Sequence, residues 1–394
     1  MADLMNADVD LIFYDTTSLH FENDEEDEEQ QSKEGRVYEA QRKRGHSKNG
    51  RSDAPQIVVG LAVTRDGLPV RSWVFPGNTA DVTTVQNVKK QLSGWRLGRC
   101  VFVGDAGMNS EDNRRKLSLG GGKYILASKM RAGDEVTHEV LTRAGRYREV
   151  ADNLRVKQVE VGDGERRRRY VVCHNPQEER RQRNHRERLL EQLQREISSM
   201  VPTARGHSKR MCEIKSSHRF GKYVKEVQGR LEIDWSKVRC QEQYDGKWVI
   251  QSNDDTLTAE DLALGYKQLM RVEECWRTLK SGLGMRPVYH RLPWRIQAHV
   301  TISVLALLLE RIIEIRCKDT WRNVRDELME IKVVEYDDNN YRVQQTTELK
   351  IEAKELMQKL GIPEPQKFMS IRPISTYKVE EPAEKQCMSE WTDS

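Results

Sequence analysis

The chain has 394 residues, of which 37% are hydrophobic and 32% charged, with a formal net charge of +4 at neutral pH. That length exceeds what one core usually organises, so two domains, or one domain with a large insertion, are expected. The hydrophobic share suffices for a globular protein, and seven scattered cysteines, an odd number with no CxxC pair, exclude a complete disulfide framework and fit a reducing cytosol.

The small net charge hides segregation. Acid gathers at Glu22–Glu29, and base at Glu165–Tyr170 and Glu178–Arg188. Clustered arginine and lysine point to a polyanion partner, although any single run reads better as a solvated face or loop. The first ten residues carry acid where a signal peptide carries base. The apolar stretch Val300–Ile313 is too short for a membrane span and reads as a buried helix.

In chain order, Leu11, Ile12, Phe13 and Tyr14 read as a buried strand that delivers Asp15 at its end. Residues 22–55 are too polar to pack and read as a long hairpin loop. Gln56–Thr64 is a strand rich in β-branched residues. Arg65–Gly67 is a tight turn and Leu68–Gly77 a third strand, giving an antiparallel meander. A helix follows, capped by Thr79 or Asp81, with Val82, Val85 and Val88 on one face. A fourth strand ends in Asp105. Ser110 caps a second helix, and Lys123–Met130 is a fifth strand.

From residue 131 to 255 the regularity fails. Short alternating runs and one charged helix near Glu178–Ile197 read as a β-rich insertion. Thr258 and Asp261 then form a capping box. Leu262, Tyr266, Leu269, Val272, Trp276 and Leu279 form the stripe of one long amphipathic helix. Further helices are expected at 294–316, 320–331 and 346–360, with a loose polar tail. Parallel strands joined by crossover helices call for a mixed sheet with helices on both faces.

In that order the strands ending in Asp15 and Asp105 can lie side by side. Two carboxylates so close repel unless a cation sits between them. Mg²⁺ suits carboxylate oxygens and keeps other positions for water and phosphate. Two such ions about 4 Å apart clamp a phosphodiester under in-line attack. The competing reading makes each Asp a turn cap. Glu273 or Glu274 offers a third carboxylate, with Tyr266 two turns before Glu273 and Lys280 two turns after it. The competing reading makes Tyr266 and Trp276 core and the Glu and Lys surface.

The segments "FYDTTSLHFE", "VGDAGM" and "YKQLMRVEECWRTLKSGLGMRPVYHR" resemble the three signatures of DDE transposases of bacterial insertion sequences. The branch resembled is the IS4-like one, whose third signature is Tyr-x2-Arg-x3-Glu-x6-Lys. "GHSKNGRSDAPQIVVGLAV" and "FPGNTADVTT" belong to the same resemblance. It implies an α/β, ribonuclease-H-like mixed sheet flanked by helices, with a β-rich insertion before the last catalytic helix. The implied division is 1–130 and 256–332 for the core, 131–255 for the insertion and 333–394 for a helical segment with a loose tail.

Carried over residue by residue, Asp15, Asp105 and Glu273 match the metal-binding triad for two Mg²⁺ (or Mn²⁺) ions. Tyr266 and Lys280 match their signature positions. The arginine position falls on Leu269, and Arg271 stands two residues later as its substitute. His46, Lys48, Asn49 and Arg51 read either as DNA phosphate contacts or as an ordinary basic hairpin loop, and Trp248 either as a stacking platform for an extruded base or as a core residue. The implied chemistry is cleavage of double-stranded DNA at transposon ends, then attack of the freed 3′ hydroxyl on target DNA. The family works as a homodimer on paired ends, in the cytoplasm at the nucleoid. The first aspartate comes so early that no end-binding domain precedes it, so a truncated copy is expected. A nuclease of the same fold and a non-catalytic DNA-binding remnant stay open as alternatives.

Overall fold

The computed structural model describes residues 11–31, 34–48, 50–92, 101–131, 135–200 and 207–374. Asn49 lies outside them. Contacts divide the chain into two compact units, Met1–Leu308 and Leu309–Ser394.

The first unit is built on a nine-stranded mixed sheet. Its strands are β1 Leu11–His20, β4 Gln56–Val63, β5 Pro69–Pro76, β6 Val101–Gly104, β7 Lys123–Ser128, β8 Arg148–Ala151, β9 Leu154–Val161, β10 Arg168–His174 and β13 Lys247–Ser252. The spatial order is β5-β4-β1-β6-β7-β13-β10-β9-β8. β1, β6 and β7 are parallel neighbours, and the remaining pairings are antiparallel. The antiparallel meander of β1, β4 and β5 and the adjacency of β1 and β6 match the sequence reading. Helices α1 Asp81–Leu92 and α2 Glu111–Ser118 supply the crossovers. Ser110 caps α2 by accepting from the Asn113 amide at 3.2 Å.

Strand alternation sorts the side chains into two cores. Ile12, Tyr14 and Phe102 pack with Val85 and Val88 of α1 and Leu117 of α2. Leu11, Phe13, Val101 and Val103 pack on the other face with Leu262, Leu269, Val272, Trp276 and Leu279. Those five come from the expected long helix, which is in fact broken. α6 Ala259–Lys267 ends, and α7 Met270–Arg277 begins after a tight turn in which the Arg271 and Val272 amides donate to Gln268 and Leu269. A π turn, Thr278–Gly282, follows. The Thr258–Asp261 capping box forms as read.

The expected β-rich insertion is corrected in two ways. Strands β8, β9, β10 and β13 extend the main sheet, with β13 pairing directly with β7. The rest is mainly helical: α3 Pro176–Ser198, α4 His207–Ser216 and α5 Trp235–Glu242, with the hairpin β11 Val224–Val227 and β12 Arg230–Ile233. Leu193, Ile214, Tyr223, Leu231 and Val238 give this part its own small core.

The polar segment before β4 does more than loop. It contains a two-residue ladder, β2 Gln30–Gln31 with β3 Val37–Tyr38. Inside it, Asp27 (2% exposed) and Arg42 (6%) form a buried ion pair at 2.5 Å. Gln56, fully buried, holds the segment through the carbonyls of His46 and Gly77.

Helix α8, Pro293–Cys317, is long and apolar enough to cross a membrane by length and composition, contrary to the expectation that it is too short. Ile296, Val300, Val304 and Leu307 on one face are buried in the main core, whereas Ile302 and Leu305 are exposed. In the second unit, Cys317 and Val324 of α9 Trp321–Leu328 pack with Leu356 of α10 Ile351–Leu360. Three antiparallel strands that the sequence reading missed complete it: β14 Val333–Asp338, β15 Tyr341–Thr346 and β16 Phe368–Pro373.

Candidate active site

The ladder between β1 and β6 pairs Leu11 with Val101, Ile12 with Phe102 and Phe13 with Val103. Continued by two residues, the same register sets Asp15 beside Asp105, one residue past the end of β6 at Gly104. Adjacent strands run about 4.8 Å apart. The expected strand end at Asp15 is corrected here. β1 continues to His20, with Asp15 opposite Leu61 of β4. What ends is the ladder on the β6 side, and the carboxylate occupies the edge left open.

Alternation puts Asp15 and Thr17 on the face of Leu11 and Phe13, the side covered by α6 and α7. The Asp15 carboxyl is pushed up to about 6, chiefly by burial; Lys48 and the Thr16 amide oppose the rise, and Asp105 and Asp81 add to it. Asp105 is exposed, and its Oδ1 accepts from the Ala106 amide at 2.6 Å, capping the turn Ala106–Met108. The turn-cap role of Asp105 is therefore present alongside its place beside Asp15.

Tyr266 is partly buried against the main core. Burial raises its phenol, followed by the charges of Asp105, Glu273, Cys173 and Asp15. All three acids thus act on one hydroxyl. Glu273 itself is exposed on α7. Lys280, on the π turn, donates to Thr17 Oγ1 on the Asp15 face. Burial lowers its ammonium, with help from Arg286 and against the pull of Asp15.

Among the described residues no three His, Cys, Asp or Glu side chains form a group that could hold a metal ion. Two of the acids do fit one. Asp15 on β1 and Asp105 just past the end of neighbouring β6 are hard oxygen donors, and a cation between them would relieve the raised Asp15 carboxyl. Glu273 does not complete a ligand set in this conformation.

Residues 10–309 match the transposase DDE domain family, well over half of the chain. The chain belongs to that family. No curated protein matches. Among solved structures, a cryo-EM structure of a piggyBac transposase synaptic complex with hairpin DNA is similar at 10% identity and a TM-score of 0.39. The match covers 89% of this chain and 51% of that one, so the DDE-domain chain spans about half the length of that relative.

Several phosphate contacts assigned from the sequence of this DDE domain find other partners. Lys48 Nζ donates to Thr16 O at 2.7 Å and Thr16 Oγ1 at 2.8 Å, and lies 3.0 Å from Asp81 Oδ2. An ammonium has three donors, so this one is spent inside the protein. In this conformation it braces the backbone beside Asp15 with its side chain 37% exposed. Arg51 is engaged by Asp53 at 3.1 and 3.2 Å, and Arg271 by Glu274 at 3.2 Å. Leu269, at the arginine position of the third signature, is a core residue at 9% exposure. His46 is exposed. Trp248 packs partly buried on the main core, with its indole N–H unpartnered. The residue that sequence reasoning missed is Asp81, read there only as a helix cap. It accepts from Thr16 Oγ1 at 2.6 Å, a partner 65 positions away that no local pattern signals.

Proposed function

We propose that this chain is the catalytic part of an insertion-sequence transposase of the IS4-like, Tyr-Arg-Glu-Lys branch. It has a ribonuclease-H-like core, cuts double-stranded DNA at transposon ends and joins the freed 3′ hydroxyl to target DNA. The observation that supports the reading is the β1–β6 register, which, extended two residues past its last pair, Phe13 and Val103, runs Asp15 alongside Asp105 just beyond the end of β6. Asp15 and Asp105 would hold a divalent cation, Mg²⁺ or Mn²⁺, and Glu273 is the carboxylate that would complete its ligand set. When bound, such a cation would supply charge neutralisation at the phosphodiester and activation of the attacking oxygen. Tyr266 and Lys280 flank the scissile phosphate. Lys280 offers one ammonium whose lowered basicity reflects its burial. Thr16, Lys48 and Asp81 brace the backbone that carries Asp15.

Nicking of a duplex carrying an element end, assayed with and without Mn²⁺, tests the reading. Asp15→Asn should lower the metal-dependent rate at least a thousandfold, a loss of roughly 4 kcal/mol of transition-state stabilisation, while leaving DNA binding intact. Nicking at the wild-type rate would remove the assignment. A second reading, a DNA-binding remnant without catalysis, is favoured by the absence of a three-ligand group among the described residues and by Leu269 at the arginine position. Wild-type protein that binds DNA and never nicks it, with either metal, would establish that reading.

A further inference from the structure

The two arginine-rich runs have different fates. In the first, three of the four guanidiniums are spent internally. Arg167 pairs with Glu160 and Asp255, Arg168 with Glu135, and the buried Arg169 donates to the Asp254 and Leu257 carbonyls. The second run lies on α3. There Arg186, 5% exposed, turns inward onto Asp245 at 2.6 Å. Arg181, His185 and Arg188, at i, i+4 and i+7, share an exposed face of the same helix.

That face is one wall of a groove of about 440 Å³. Lys222 and Arg131 also line it, and the buried Arg186–Asp245 pair and Tyr223 contribute to its lining. Arg131 lies over the Tyr244 ring at 5.5 Å and Lys222 over Tyr223 at 4.9 Å. Among the described residues, no carboxylate pairs with Arg131, Arg188 or Lys222, and Arg181 is shared with Glu178 at 2.7 Å. A concave site with several uncompensated cations and no carboxylate other than the already paired Asp245 is built for an anion.

We propose that this groove is a second DNA-contacting site, separate from the carboxylate edge, and that it grips the sugar-phosphate backbone of one strand. Arg181 and Arg188 are about 10 Å apart along the helix. Phosphates of one strand advance about 3.4 Å each along the duplex axis, so the wall spans two or three of them. Guanidinium forks match phosphate oxygens in pairs. The lining is dominated by cations, which hold a backbone without reading bases. The choice of DNA among polyanions rests on the transposase reading; the anion site itself does not.

The experiment uses the full chain and a short random-sequence duplex, with affinity followed by fluorescence anisotropy from low to moderate salt. Arg188→Glu with Lys222→Glu should weaken binding at least tenfold near 0.1 M salt. The slope of log affinity against log salt should fall by about 2, one phosphate contact per lost cation. Arg322→Glu with Lys332→Glu makes the same charge change at exposed positions elsewhere and should shift affinity less than about threefold. Arg188→Gln with Lys222→Gln repeats the test without charge reversal should the first pair fold poorly. Equal losses in the groove and control pairs, or no loss in the groove pair, would overturn the proposal. So would a groove pair that loses an acidic peptide but keeps DNA. Metal-dependent nicking, run in parallel, separates the two readings: groove-dependent binding without nicking sinks only the catalytic one.

Discussion

At the scale of single residues, the site is a set of costs that a ligand can repay. Asp15 sits where desolvation and two neighbouring acids oppose its charge, and its carboxyl rises from 3.8 to about 6. An acid whose folded value is raised binds more protons folded than unfolded between those two values, so stability falls as pH climbs through that window. Below about pH 4 the cost is absent. Above about pH 6 it is complete, on the order of 3 kcal/mol. Asp15→Asn should therefore melt several degrees above the wild type at pH 7.5 in EDTA, with the gap closing below pH 4. Thermal melts across pH read this directly, and a wild type more stable than the variant at pH 7.5 would contradict it. Lys48 shows the limit of reading a residue by type. A lysine in a polar loop reads as a phosphate ligand, but its three donors are already taken by Thr16 and Asp81.

Among the elements, type was legible wherever local pattern decided it. The apolar run that opens β1, the β-branched run of β4, the Ser110 cap and the Thr258–Asp261 box are all local and form as read. The long amphipathic stripe was legible as a buried face but not as a continuous helix. The stripe from Leu262 to Leu279 reaches the core, yet the helix is interrupted between Lys267 and Met270, where the Arg271 and Val272 amides bond three residues back instead of four. The polar segment 22–55 has composition against it, and only its partners reveal that it packs. It docks where Gly45 and Gly77 meet: a Cβ on Gly77 would stand 2.0 Å from Gln56 O and 2.2 Å from Lys43 O. Both atoms are backbone and cannot swing away. Gly77→Ala should cost about 3 kcal/mol in urea unfolding and unseat the segment carrying Lys48. An unchanged midpoint would show that the segment contributes nothing to the fold.

For the whole molecule, the region between 131 and 255 is not an appendage to a finished core. β13 stands between β7 and β10 in the middle of the sheet, and Leu154, Val156, Val171 and Ile250 belong to the main core. Replacing 131–255 by a short linker should therefore leave β7 as an open edge and give insoluble protein, rather than a smaller active domain. A soluble, cooperatively melting deletion product would refute that. By itself the sequence determined the strands β1, β4, β5, β6 and β7 with the two helices between them, and the two aspartates that follow the apolar runs of β1 and β6, because hydrophobic period and capping are local. The tertiary structure decided which charges are spent and which remain. It buried Asp27 and Arg42, took Lys48 for Asp81, consumed the arginines at 167–169 and left Arg188 and Lys222 open. The physical reason is that an ion pair depends on distance in space, and its two members here stand up to 88 positions apart in the chain.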